Sequence, residues 1–169
     1  PLNNVTTYSY DDAGRLVRVE NAASEVTTTS YDNAHRVRTV TNPEGHVTTT
    51  TYDTAGRPWS VTDPMGLSTT NAYDNASRLW SIENPEGHRT TYAYDDANRR
   101  TGITNAENQT TLYGYYPDGQ LKFTADPLDH RTTYVYDAAN QQTEVRNGAN
   151  DVYVTTYTAT GKVLATVDG

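Results

Sequence analysis

The sequence predicts an all-β fold of tandem 21-residue antiparallel β-hairpins that form one long curved or spiralling sheet. Three observations carry this. Tyrosine recurs at Tyr10, Tyr31, Tyr52, Tyr73, Tyr94, Tyr115, Tyr136 and Tyr157, each 21 residues after the last. Two sets of turn-forming residues punctuate every period. The stretches between them are rich in Thr, Val and Tyr, which fit a pleated, half-buried surface, and none places apolar residues at helical spacing.

The first turn follows the tyrosine. Asp comes next in six units, as Asp11, Asp32, Asp53, Asp74, Asp95 and Asp137, with Tyr116 and Thr158 in the other two. Four residues after the tyrosine stands Gly or Asn (Gly14, Gly56, Asn98, Gly119, Asn140, Gly161), except for His35 and Ser77; Arg15, Arg36, Arg57, Arg78 and Arg99 follow. Tyr-Asp-x-x-Gly-Arg suits a short hairpin connection whose Gly or Asn takes positive φ, a conformation that costs other residues more. The Asp side chain should accept backbone N–H groups of its own turn and pair with the Arg across the loop.

The second turn begins eleven residues after the tyrosine, at Asn21, Asn42, Asp63, Asn84, Asn105, Asp126, Asn147 and Asp168. Asn42-Pro43-Glu44-Gly45, Asp63-Pro64-Met65-Gly66 and Asn84-Pro85-Glu86-Gly87 have the composition of a type I turn, with Asn or Asp first, Pro fixing φ second and Gly fourth. Two turns per period leave two strands, one ending at the tyrosine and one running through stretches such as Leu16 to Val19. At about 4.8 Å per strand the resulting sixteen strands would extend about 75 Å. Accumulated twist curls so long a sheet, and identical repeats turn by the same increment each time. Tyrosine and the β-branched residue nine places later (Val19, Val40, Val61, Ile82, Ile103, Val145) should form ladders along the ribbon.

Composition agrees. Only 34% of the 169 residues are hydrophobic and the mean hydropathy is -0.81, too little for a thick core, while 14 Tyr argue against disorder. The net charge of -8 repels a polyanion, so nucleic acid is not an expected partner. Absence of cysteine removes disulfides and thiolate metal sites. No apolar run reaches the roughly 20 residues of a membrane-spanning helix, and no membrane insertion is expected. The chain begins at Pro1 without a signal-like segment, which reads as a fragment whose targeting information lies elsewhere, and localisation is unknown from it.

The Asp ladder invites a calcium site, but successive Asp residues lie two strands apart, roughly 9 to 10 Å, against calcium–oxygen distances of about 2.3 to 2.6 Å. His46, His88 and His130 are 42 residues apart and cannot share a zinc ion. No Cys and no singular Ser-His-Asp grouping is present. No catalytic, cofactor-binding or metal-binding residue is therefore assigned, and the chain is read as not an enzyme. Trp59 and Trp80 occupy equivalent positions in adjacent units, where Val17, Arg38, Thr101 and Lys122 stand elsewhere. They form a possible binding face, to be weighed against packing between units.

The Tyr-Asp-x-x-Gly-Arg-Leu and Asn/Asp-Pro-x-Gly-x-x-Thr pattern resembles the YD repeats of Rhs proteins, a superfamily of bacterial Rhs polymorphic toxins, Tc toxin C components and teneurins, with the bacterial repeats most similar. Residues 1–169 read as a single array of eight such repeats, with no separate plug, core-associated or toxin domain. The resemblance implies that the sheet is an arc of a hollow β-shell. It implies a structural wall segment that encloses a C-terminal toxin for delivery, in an exported or cell-surface bacterial protein. Partners would be neighbouring repeats of the parent chain and the enclosed cargo. Terminal strands with unpaired edges would also favour edge-to-edge self-association. The alternative is a recognition module that binds glycans or a cell-surface protein through its Tyr and Trp ladders.

Overall fold

A computed structural model describes residues 5–149 and 151–168. The chain divides into two units, 1–88 and 89–169. The first contains β1 (Thr7–Tyr10), β2 (Leu16–Glu20), β3 (Val26–Tyr31), β4 (Val37–Thr41), β5 (Val47–Tyr52), β6 (Pro58–Thr62), β7 (Ser68–Tyr73) and β8 (Leu79–Glu83). The second contains β9 (Arg89–Tyr94), β10 (Arg100–Thr104), β11 (Thr110–Tyr115), β12 (Leu121–Ala125), β13 (Arg131–Tyr136), β14 (Gln142–Arg146), β15 (Val152–Tyr157) and β16 (Val163–Asp168). Each unit is an antiparallel meander in which every strand pairs with the next along the chain. The all-β, hairpin-by-hairpin architecture read from the sequence is what forms, and among the described residues there is no helix.

Both turns of a period share one geometry. In the tyrosine-proximal turn the Asp11 N–H donates to the Arg15 carbonyl at 2.9 Å and the Gly14 N–H to the Asp11 carbonyl at 2.9 Å. In the second, the Asn42 N–H donates to His46 and the Gly45 N–H to Asn42, each at 3.0 Å. The fourth residue lies in the left-handed region, at φ 76° for Gly14 and 81° for Gly45. This is a type I turn followed by a left-handed residue, one of the common short hairpin connections. His35 and Ser77, the two departures from Gly or Asn, adopt the same conformation at φ 62° and 64°, so the turn imposes its geometry even on residues that resist it.

Register adds a feature the repeat alone did not show. Tyr10 faces Leu16 whereas Ser9 faces Arg18, so Val17 has no cross-strand partner. The same one-residue slip leaves Arg38, Trp59, Trp80, Thr101, Lys122, Thr143 and Leu164 on β-bulges. It also refines the expected ladder. Val19 faces Tyr8, not Tyr10, and the two tyrosines share a sheet face by the alternation of strand side chains.

Among the described residues neither unit has a conventional core. The buried side chains are small: Ala125 at 2%, Ser60 at 7% and Ser81 at 4% exposure. Size is matched across strands, as in Ala72 opposite Ser81, Ala93 opposite Gly102 and Gly114 opposite Phe123. At the last pair the Phe123 ring occupies the space a Cβ on Gly114 would need, and the Arg131 guanidinium lies 4.0 Å from the ring centre. Covering a strand glycine with a cross-strand aromatic is a known stabilising device. Gly114→Ala should therefore lower stability by about 1–3 kcal/mol, read from the urea midpoint. In a Phe123→Ser background the same substitution should cost nothing; an equal loss in both backgrounds would contradict the steric account.

Candidate functional site

The repeated polar cluster is assembled from the tyrosine-proximal turn outward. Asp11 Oδ1 accepts the backbone N–H groups of Ala13 at 3.0 Å and Arg15 at 2.9 Å, while Oδ2 accepts Arg15 Nε at 2.7 Å. Arg15 Nη2 lies 2.7 Å from the same oxygen. Asp32 with Arg36, Asp53 with Arg57, Asp74 with Arg78 and Asp95 with Arg99 repeat the arrangement. The Asp is thus turn former and ion-pair partner at once. These bonds hold the five carboxyls below the ordinary value of 3.8. The Arg15 side chain is the largest cause at Asp11, and the Arg backbone N–H at Asp32, Asp53, Asp74 and Asp95. Asp137 accepts N–H groups from Ala139 at 2.8 Å and Gln141 at 2.9 Å, but Gln141 offers no guanidinium.

Arg15, Arg36, Arg57 and Arg99 then reach the tyrosine of the following unit. The guanidinium carbon lies over the ring at 4.6 Å for Arg15 and Tyr31, 4.2 Å for Arg36 and Tyr52, 4.4 Å for Arg57 and Tyr73, and 4.8 Å for Arg99 and Tyr115. That tyrosine donates its hydroxyl to a backbone carbonyl fifteen residues earlier. The distance is 2.8 Å for Tyr31 to Leu16, Tyr52 to Val37, Tyr73 to Pro58, Tyr115 to Arg100 and Tyr157 to Gln142. The reason lies in the register. The β2–β3 ladder runs only from Glu20 opposite Val26 to Arg18 opposite Thr28, so the Leu16 carbonyl lies beyond it and the Tyr31 hydroxyl supplies its donor. Tyr10 and Tyr94 end β1 and β9 at the equivalent place, and Tyr10 is 61% exposed.

The sixth unit departs from the pattern. Tyr116 replaces Asp and Gln120 replaces Arg. Tyr116 donates its hydroxyl to the Tyr134 carbonyl at 3.1 Å and accepts Arg99 Nη1 on its own carbonyl at 2.8 Å. Its ring meets that of Tyr136 edge-on, with centroids 6.3 Å apart and planes at 89°. Burial, reinforced by the nearby Tyr134 and Tyr116 phenols, raises the Tyr136 hydroxyl above its ordinary 10.0. Beside the pair opens a cavity of about 320 Å³ lined by Tyr116, Asp118, Gln120, Val135, Tyr136 and Asp137. Sequence reasoning missed this site; the available signal was the break in the arginine series at Gln120.

Trp59 and Trp80 sit on the bulges of β6 and β8 and are 53% and 45% exposed. The two bulges are separated by β7, about 10 Å at the usual strand spacing. His46 and His88 donate backbone N–H groups to Asn42 and Asn84. His130 Nδ1 lies 2.8 Å from Asp126 and lowers that carboxyl. Among the described residues no three His, Cys, Asp or Glu side chains converge as metal ligands would.

The family profile described as RHS Repeat matches residues 10–47, 31–64 and 73–110, more than half of the chain. The chain belongs to the RHS repeat family. Solved structures agree on the fold of this RHS array. It is similar to a chain of the Photorhabdus luminescens Tc holotoxin pore, with 18% identity, a TM-score of 0.76, and coverage of 98% of this chain and 10% of that one. A TcdB2–TccC3 structure gives 18% identity and a TM-score of 0.75 over 90% of this chain and 10% of its own. A TcdB2–TccC3–TEV structure gives 14% identity and a TM-score of 0.62 over 96% and 11%. The array thus spans about a tenth of the chains it matches. No curated protein matches it.

The depressed carboxyls fix an acid response. A group whose folded pKa lies below its unfolded value adds stability that is complete above the unfolded value and is lost as pH falls through the folded one. With Asp11, Asp32, Asp53, Asp74, Asp95 and Asp126 all lowered from 3.8, the Tm of the RHS array should hold level from pH 7 to about 5 and fall below about 4. A Tm unchanged down to pH 2.5, followed by circular dichroism, would contradict this.

Proposed function

We propose that this array is a wall segment of an Rhs-type shell that encloses a C-terminal toxin for delivery, and that it acts by steric containment without catalysis. The observation that carries the reading is the Asp–Arg–Tyr relay. Charged and hydroxyl groups that could serve chemistry are committed instead to joining one hairpin to the next. A one-layer sheet secured in this way separates two compartments and needs no core of its own. The similarity to chains of Tc toxin structures supports the same assignment.

A second reading, recognition of a glycan or cell-surface protein, is favoured by the exposed Trp59 and Trp80. Glycan binding that disappears in Trp59→Ala and Trp80→Ala variants would decide for it. Containment is tested by limited proteolysis of the full polypeptide that carries this array. The segment C-terminal to the array should stay uncut under native conditions and be cut once the array is unfolded by acid. Native cleavage at the rate shown by that segment expressed alone would contradict containment.

A further inference from the structure

The bulge position that varies along the array forms a row in the first unit. Arg38 on β4, Trp59 on β6 and Trp80 on β8 hold the same register place, so the repeat sends their side chains the same way. Neighbours in the row are two strands apart, roughly 10 Å at the usual strand spacing. Trp59 and Trp80 are 53% and 45% exposed, and Arg38 is exposed as well. The residues paired next to the bulges are small. Thr51 faces Ser60 and Ala72 faces Ser81, and both serines are buried, so no tall side chain rises from these positions between the members of the row.

Arg38 differs from every other arginine of its unit. The first unit holds six arginines and no lysine. Arg15, Arg36, Arg57 and Arg78 pair with the Asp of their own turns, and Arg18 pairs with Glu20. Arg38 has no carboxylate partner among the described residues. The row therefore offers one uncommitted guanidinium fork followed by two large aromatic faces. Such a fork holds a carboxylate through two parallel N–H···O bonds. An indole face packs on apolar C–H surface, and an extended, equatorially linked sugar chain presents that surface on both of its sides. Overall charge narrows the choice further. At a net charge of -8 the protein repels polyanions, so a chain with one carboxylate fits where a heavily sulfated one does not.

We propose that Arg38, Trp59 and Trp80 form a binding site for an acidic oligosaccharide, an equatorially linked chain whose terminal sugar carries a single carboxylate. The carboxylate accepts the N–H fork of Arg38, and sugars further along the chain stack on Trp59 and Trp80. This rests on the glycan reading of the two tryptophans and narrows it to one class of ligand. Containment by the wall neither requires it nor conflicts with it.

The test is titration of the protein with cellopentaose, with cellopentaose carrying glucuronic acid at its non-reducing end, and with a heparin fragment of the same length. Binding is followed through the indole N–H NMR signals of Trp59 and Trp80. The acidic sugar should shift both indoles saturably. Cellopentaose should bind about tenfold or more weakly, the scale of a lost charge-assisted hydrogen bond, and heparin should leave the signals in place. Arg38→Gln should bring the acidic sugar down to the affinity of cellopentaose with the Tm unchanged, since Val17 and Thr101 hold the same place in other units. Equal affinity for the two sugars, acidic binding unaltered in Arg38→Gln, or tighter binding of heparin would overturn the acidic assignment while leaving glycan recognition standing. Indoles unmoved by either sugar would overturn both.

Discussion

One guanidinium shared between two neighbours sets the terms for the array. Arg36, for example, is held by Asp32 within its own turn and lies over Tyr52 of the next unit. The turn orients the arginine, the arginine positions the tyrosine, and the tyrosine hydroxyl caps the Val37 carbonyl back in the arginine's own unit. The bonds close a circuit between consecutive hairpins. An exposed cation–π contact contributes only about 0.5–1 kcal/mol, but such terms recur along a nearest-neighbour array. A lone hairpin is marginal in water; repetition of this contact compensates for the small buried area around Ala125, Ser60 and Ser81.

The β-bulge separates constancy from variation. It displaces one residue per unit from one ladder, while on the other side of the same strand the ladder stops short of a carbonyl that the tyrosine hydroxyl then satisfies. The displaced residue carries no backbone pairing duty, which explains how Val17, Arg38, Trp59, Trp80, Thr101 and Lys122 can all occupy the same place. Bulges commonly re-aim side chains in this way. Tryptophans at two such positions are therefore exposed without any disturbance to the repeat.

Much of this was legible in the sequence because turns are local. Both turns, positive φ at Gly14 and Asn98, and the Asp–Arg pairing follow from residues within five positions of each other, and the 21-residue period from their recurrence. What depends on register was not legible. The slip at Val17 and the reach of Tyr31 to a carbonyl fifteen residues away arise only once strands are paired. Gly114 was readable as a strand glycine, a mark of close approach, yet nothing in its neighbourhood identified Phe123 as the group approaching. The Tyr136 cavity likewise needed the structure to show that Gln120 stands where an arginine would cover that ring.

The central claim is that arginine and the following tyrosine couple one hairpin to the next. A double-mutant cycle on Arg36→Gln and Tyr52→Leu, measured by urea denaturation, tests it most directly, since it isolates the pair from other effects of each substitution. The account predicts a favourable coupling of about 0.5–1 kcal/mol. Purely additive single-mutant losses would contradict it and reduce the stack to a coincidence of spacing.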